Sequence, residues 1–171
     1  MVYPDARPNA AHLFLAELEK KGKLRCVITQ NIDGLHQLAG SRNVCELHGS
    51  IHRNHCMKCG RAWSLADIMA AGPIPRCECG GIIKPDVVLY EEPLPGDVFS
   101  EAIRAIRNCD VFIIGGTSLS VWPAAGLLEY ASTDKICLIN RDATSMDYLA
   151  KCIIRGSIGE IFSRLSQETR E

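Results

Sequence analysis

Four cysteines stand in two close pairs, Cys56-x-x-Cys59 and Cys77-x-Cys79, with 17 residues between the pairs. Two turn-borne pairs of soft thiolates suit a tetrahedral Zn²⁺, and the pattern lies near that of a zinc ribbon. The second pair departs from it, with one intervening residue instead of two. Gly60 follows the first pair and Gly80-Gly81 the second, which lets backbone amides turn toward sulfur. Four thiolates on one Zn²⁺ leave a local charge of about -2. Arg53, Lys58, Arg61 and Arg76 are close enough in sequence to offset it. With four protein ligands the site is closed, so its role is structural and not catalytic. His52 and His55 are alternative ligands, and four unligated thiols in a loop are the competing reading.

His48 precedes Gly49. An imidazole there can take a proton near neutral pH, and the glycine lets the backbone pass close to a ligand. A hydrogen-bonded structural histidine at a strand end would look the same; His12 and His36 have weaker claims as base. Gln30-Asn31-Ile32-Asp33-Gly34 is a polar turn directly after an apolar run. An amide and a carboxylate beyond a strand's carboxyl end suit a carboxamide or ribose hydroxyls. An Asx turn with Gly34 at positive φ is the alternative. Gly115-Gly116-Thr117-Ser118 closes another apolar run, and small residues with hydroxyls there can wrap phosphate or ribose. It is not a GxGxxG fingerprint. Asn140 closes the next run, where dinucleotide folds often place a ribose-binding residue. Singly, each of these is an ordinary strand-to-helix turn.

These residues need elements to position them. Apolar spacing from Asn9 to Lys21, then Gly22, predicts a helix with a glycine stop. Arg25 to Thr29 and Asn43 to Leu47 are short strand candidates. Residues 51–82 are poor in long apolar runs and rich in Cys, Gly, Pro and basic residues, the composition of a small insert. Lys84 to Tyr90 returns to strand-like composition, with Pro85 at its entry. Val98 to Asn108 is an amphipathic helix, Asp110 to Ile114 a strand, and Pro123 to Tyr130 a helix with proline in its first turn. Lys135 to Ile139 is a strand and Ile158 to Ser166 a final helix. That alternation predicts a parallel sheet flanked by helices.

A chain of 171 residues, 47% hydrophobic and 23% charged, can bury a core as one domain plus a small insert. No apolar run approaches membrane-spanning length, and the first residues do not read as a secretory signal. Nine cysteines, an odd count, argue against a disulfide framework. Cys26, Cys45, Cys109, Cys137 and Cys152 are scattered through apolar runs and read as buried small hydrophobes. Both cysteine groups fit a reducing cytoplasm. Residues 1–85 carry 11 Lys/Arg against 7 Asp/Glu, and residues 86–171 carry 8 against 13. Neither half is basic enough for nucleic acid as main partner, and no membrane partner is expected.

Taken in order, these pieces resemble the sirtuin family of NAD-dependent protein-lysine deacylases. The resemblance runs from Pro8-Asn9-x-x-His12 through Thr29-Gln30-Asn31-Ile32-Asp33, His48-Gly49, the four cysteines and Pro85-x-Val87-Val88 to Gly116-Thr117-Ser118-Leu119, Ile139-Asn140 and Gly156-Ser157-Ile158. It implies a Rossmann-like NAD-binding domain from residues 1–50 and 84–171, with a zinc-ribbon module at 51–83 between. It implies that His48 is the base activating a ribose hydroxyl. Gln30, Asn31 and Asp33 would line the pocket for nicotinamide and its ribose. Gly116, Thr117 and Ser118 would contact ribose and phosphate, Asn140 the adenosine ribose, and Ile158 the adenine. Val87, Val88, Leu89 and Tyr90 on one side, and Ser120 and Val121 on the other, would hold an acyl-lysine peptide as an added strand. The acyl group would pass from lysine to ADP-ribose with release of nicotinamide.

Two departures bear on these expectations. The family often reads Phe-Gly-Glu where this chain has Tyr90-Glu91-Glu92. The family also has a preceding segment with a Gly-Ala-Gly phosphate loop and a Pro-Asp-Phe-Arg run, and residues 1–7 match neither. The chain thus resembles the C-terminal two thirds of a sirtuin, for which impaired turnover is the expectation. A non-catalytic zinc-binding fragment or peptide-binding scaffold is the alternative. Acyl-chain preference and oligomeric state are not legible.

Overall fold

The computed structural model describes residues 2–169. Helix α1 (Ala10–Lys20) begins at Asn9, whose side chain accepts from the amides of Ala11 and His12 while the His12 ring accepts from the Asn9 amide. This reciprocal cap satisfies donors that a helix start leaves orphaned. Strand β1 (Val27–Thr29) pairs in parallel with β2 (Val44–Glu46), Ile28 facing Cys45, and the short helix α2 (Leu35–Ala39) lies between them in sequence. The Glu19 carboxylate accepts from the amides of Arg42 and Asn43, at 2.9 and 2.8 Å, and ties α1 to the entry of β2.

Strand β3 (Gly49–Cys56) leaves the parallel layer and starts a small antiparallel sheet of order β4-β3-β5, with β4 at Ala62–Trp63 and β5 at Ile83–Val87. A one-and-a-half-turn helix, α3 (Leu65–Ala70), is capped by Ser64 and Asp67. The strand expected over Lys84 to Tyr90 ends at Val87 and pairs with β3, Gly49 opposite Val87 and Ser50 opposite Asp86. The small sheet therefore runs past both ends of the 51–83 span. Pro85 is accommodated because β5 is an edge strand beside an irregular stretch of register.

The chain then returns to parallel α/β structure, as its alternation predicts. Helix α4 (Gly96–Arg107) precedes β6 (Phe112–Gly115); β7 is Ile136–Asn140, and α5 (Ile158–Glu168) follows a strand the sequence reading missed, β8 (Cys152–Arg155). These three strands form a parallel sheet of order β6-β7-β8, separate in its hydrogen bonds from β1-β2. The segment Ala124–Tyr130 is a 3₁₀ helix, and Pro123 stands just before it instead of in a first α-turn. Ala124 to Leu128 are all buried, so packing on every side, and not one amphipathic face, sets its geometry.

Three clusters build the main core. Ala102 and Ile106 of α4 pack on Cys45 and Leu47. Ile114, Leu128, Ile136 and Leu138 pack together beside the 3₁₀ segment. Phe14 of α1 and Phe162 of α5, ring centroids 5.6 Å apart, close over Ile139. Of the five scattered cysteines only Cys45 is buried; Cys26, Cys109 and Cys137 are half-buried and Cys152 is exposed. Cys152 sits on edge strand β8, where all four residues face solvent.

The α1–α2 contact carries a pH dependence. The rings of His12 and His36 lie 4.6 Å apart at 48°. Burial lowers the pKa of both below the ordinary 6.5; His12 lowers that of His36 further, and Asp33 raises each in part. The unfolded chain therefore binds more protons than the folded one as the pH drops. This contribution to stability is complete above about pH 6.5 and is lost as the pH falls through the folded-state values. Urea unfolding at stepped pH is expected to show a midpoint that falls on acidification. The His12→Gln, His36→Gln double variant should flatten that fall.

Candidate active site and metal centre

The turn after β1 is held from within and from β3. Thr29 Oγ1 accepts from the Asn31 amide at 3.0 Å, and Asp33 Oδ1 accepts from the Leu35 amide at 3.0 Å, capping α2. Gly34 has φ +70, and a Cβ there would lie 2.8 Å from the His52 ring. His52 donates through Nε2 to the Asp33 carbonyl at 2.9 Å, and the Ile51 amide donates to the Ile32 carbonyl at 3.1 Å. The Asx turn and the positive φ at Gly34, the alternative given to the pocket reading, are both present.

His48 sits between β2 and β3, half-buried. Its Nδ1 lies 2.9 Å from the Gln30 carbonyl. A carbonyl only accepts, so Nδ1 carries the proton and Nε2 presents a lone pair. The His48 carbonyl accepts from the Val88 amide at 3.0 Å. One residue thus joins the polar turn to the start of the Val88–Tyr90 edge.

Gly49 makes that junction sterically feasible. Its φ is +74, and a Cβ there would stand 1.8 Å from the Asp86 carbonyl oxygen. Gly49→Ala is expected to separate β3 from β5 beside His48 and to destabilise the chain by roughly 2–4 kcal/mol, from a strained φ plus lost strand hydrogen bonds. An unchanged denaturant midpoint would show that the two strands can part without penalty.

The second set of residues lies at the carboxyl ends of β6 and β7, where ligands bind in parallel α/β sheets. Gly116 has φ +63 and donates to the Ile139 carbonyl at 3.2 Å; a Cβ on Gly115 would stand 2.2 Å from Ile158 Cδ1. The two glycines let the start of α5 close onto the end of β6. Asn140 ends β7; its carbonyl accepts from the Gly156 amide at 3.1 Å and its side chain donates to the Asp142 carbonyl at 3.0 Å. Thr117 Oγ1 accepts from the Leu119 amide, and the Ser118 and Ser120 hydroxyls are 2.6 Å apart. Gly116, Thr117, Ser118, Asn140 and Ile158 thus share one end of the sheet. Buried Leu119 has φ +55, a conformation that costs about 1–3 kcal/mol.

The amino end of α1 links the two sets. Asn9 approaches Gly159 of α5, and three residues on the His12 ring packs at a tilt against that of His36. His12 and His36, the weaker candidates as bases, contact each other here, and Asn9, part of the Pro8-Asn9-x-x-His12 motif, has no site role assigned from sequence.

At the far end of β3 the four Sγ atoms of Cys56, Cys59, Cys77 and Cys79 all lie within 4.8 Å of one another. Cys56 and Cys79 are 3.5 Å apart, Cys59 and Cys77 3.7 Å. A tetrahedral Zn²⁺ with bonds of about 2.3 Å sets sulfurs at edges of about 3.8 Å, so the residues fit the metal. The Cys59 and Lys58 amides turn toward Cys56 and draw its thiol down to about 6, the direction that ligation requires. Gly81 has no room for a side chain, since a Cβ would lie 2.6 Å from Cys56 Sγ. His52 and His55 are not in the cluster: His55 binds the Asp86 carboxylate.

Three of the four expected cations surround the cluster. Lys58 reaches the Cys79 carbonyl and Arg76 the Gly80 carbonyl, each at 3.3 Å, and Arg61 pairs with Glu78 at 2.6 Å. Arg53 does not take part. It bonds Glu46 at 2.7 Å and lies 3.9 Å from Asp86. Arg53 thus faces Glu46 at the end of β2 and Asp86 on β5, and not the sulfurs.

The Sir2 family profile matches residues 1–123. The chain belongs to the Sir2 family. It is 54% identical over 163 residues to an NAD-dependent protein deacetylase of Clostridium acetobutylicum, covering 94% of this chain and 66% of that protein. It is 53% identical over 170 residues to the Clostridium tetani protein of the same name, covering 98% and 69%. The chain spans about two thirds of the length of these relatives. Its fold matches a solved Sir2 complex with a p53 peptide and NAD⁺ at TM-score 0.91 and 36% identity, covering 96% of this chain and 71% of that one. A Sir2 bound to an acetylated peptide matches at TM-score 0.90 and 36% identity, covering 97% and 72%.

Within this Sir2 chain the expected peptide edges are accessible except at Val87, which is buried and paired with Gly49. Tyr90 is fully exposed, and Leu89, Ser120 and Val121 are exposed. Glu91, the departure from Phe-Gly-Glu, has φ +69. The left-handed turn is therefore formed here by a glutamate. Glu92 fixes it, accepting from the Leu89 amide at 2.9 Å and pairing with Lys84 at 3.4 Å.

Proposed function

We propose that this Sir2 chain carries the chemistry of an NAD-dependent protein-lysine deacylase. The observation that carries the reading is the 2.9 Å contact of His48 Nδ1 with the Gln30 carbonyl. It leaves Nε2 free to accept a proton beside the polar turn and the peptide edge. NAD supplies the ribose carbon that the acyl oxygen attacks as nicotinamide leaves, and the hydroxyl that receives the acyl group. His48 Nε2 takes the proton of that hydroxyl, and the Gln30 carbonyl steadies the resulting imidazolium. Asn31 and Asp33 hold the carboxamide and nearby hydroxyls. Gly116, Thr117 and Ser118 offer amides and hydroxyls to ribose and phosphate, Asn140 binds the second ribose, and Ile158 gives the base an apolar wall. Val87 to Tyr90 and Ser120-Val121 flank the peptide as an added strand.

The names of the relatives support this reading, as do solved Sir2 structures holding NAD⁺ and acetylated peptide. The thiolates required of the four-cysteine cluster support a reducing compartment, for which we take the cytoplasm. Among the described residues no helix is long and apolar enough to cross a membrane. The direct test incubates the zinc-loaded chain with an acetyl-lysine peptide and NAD. Slow turnover is expected, with equal yields of nicotinamide, free lysine and acyl-ADP-ribose. Peptide binding without nicotinamide release would replace the enzyme reading with that of a binding scaffold.

A further inference from the structure

Cys26 and Cys45 belong to neither the zinc cluster nor the ligand-binding turns. Cys26 immediately precedes β1, and Cys45 is the middle residue of β2. Their Sγ atoms are 3.2 Å apart, closer than the 3.5 and 3.7 Å pairs within the metal cluster. Cys45 is 3% exposed, while Cys26 is half-buried and lines a cavity of about 310 Å³ with Arg25, Asn43, Glu101 and Arg104. One sulfur can thus be reached by a small molecule from solvent, and the other stands directly behind it.

We propose that Cys26 and Cys45 form a site of reversible oxidation by peroxide, with Cys26 as the attacking thiol and Cys45 as the resolving one. The Cys26 thiolate attacks one peroxide oxygen; the O–O bond breaks, hydroxide leaves, and Cys26 becomes a sulfenic acid. The Cys45 thiol then attacks that sulfur, the S–O bond breaks, and water leaves with the thiol proton. Two electrons pass from the thiols to peroxide, and a dithiol reverses the change by exchange. The hydrogen bond from Cys45 draws the Cys26 thiol below its ordinary value, against burial and the carboxylates of Glu101 and Glu19. Thiolate character on the accessible sulfur is what the first step needs.

The register gives the bond a consequence. Val27 faces Val44, so Cys26 and Cys45 are diagonal neighbours and not direct partners. Closing the gap to about 2.05 Å draws the start of β1 along β2. Those strands lead into the Gln30–Asp33 turn and His48. A bond made by such a shift is held less firmly than an unstrained one and is easily reduced.

Trypsin allows a direct reading. Residues 26–42 and 43–53 are separate fragments with one cysteine each. The zinc-loaded chain is treated with hydrogen peroxide, alkylated, digested and weighed by mass spectrometry. The expected product is the two fragments joined, lost on treatment with dithiothreitol. In Cys45→Ser the Cys26 fragment should instead be trapped by dimedone as a sulfenic acid. In Cys26→Ser the Cys45 fragment should stay fully alkylated. Recovery of both wild-type fragments alkylated, or joining of Cys26 to a cysteine of the metal cluster, would overturn the proposal.

Discussion

His48→Ala abolishes acyl transfer in the expected result, while folding and metal content stay at the level of the unsubstituted chain. The His48 side chain makes one polar contact in the structure, to the Gln30 carbonyl, so its removal leaves no buried charge behind. The backbone links that hold the region run through the His48 carbonyl and Gly49, and alanine keeps them. A positioned base contributes about 10²- to 10⁴-fold, which any product assay resolves. Asn31→Ala should also slow turnover, with weaker inhibition by added nicotinamide as its distinguishing sign. Undiminished turnover by His48→Ala would reduce the histidine to a clamp on the turn.

Loss of the metal is the second large effect. The module's core consists of Cys56, Cys77 and Ile83, with Trp63 and Ile68 partly covered against it. Two of its three buried residues are themselves ligands, so little apolar burial remains without the ion. Structural zinc in small modules contributes about 10–16 kcal/mol of apparent binding energy at neutral pH. Protein purified without added metal should therefore contain one zinc per chain. The Cys56→Ser, Cys77→Ser double variant should lack it and exchange its β3 and β5 amides rapidly. Slow exchange in that variant, or wild-type protein free of zinc, would contradict the assignment.

Some of this was readable from sequence because single residues carry single meanings. The cysteine pairs, the Asn9–Gly22 helix and the polar turns after Thr29 and Ile114 follow from ligand chemistry, capping and glycine. What escaped depends on pairing between distant segments. Residues 152–155 are only four long and wholly exposed, so β8 lacks the buried run that marks an inner strand. Lys84 to Val87 has strand composition whichever sheet it joins, and only its partner, β3, shows that it stays with the small one. Arg53 is near the cysteines in number but points to Glu46, a partner set by the irregular stretch of β3 between Ser50 and Asn54. Glu91 reads as a lost glycine, yet its φ of +69 lies in the left-handed region that favours glycine.

Strand β3 sets a fixed length in the chain. It is eight residues long, directly after His48 at one end and terminating in the ligand Cys56 at the other. Its pairing with β5 is irregular between Ser50 and Asn54 and regular from Asn54 to Cys56, where successive side chains take opposite faces. A one-residue insertion or deletion between Asn54 and Cys56 would keep every functional residue and still turn Cys56 away from its three partners. Between Cys59 and Cys77 the constraint is confined to β4 and to Trp63 and Ile68, and most of the rest is exposed. Natural variation in length within this module should accordingly gather there and be absent from Asn54 to Cys56, a pattern that can be counted in aligned relatives.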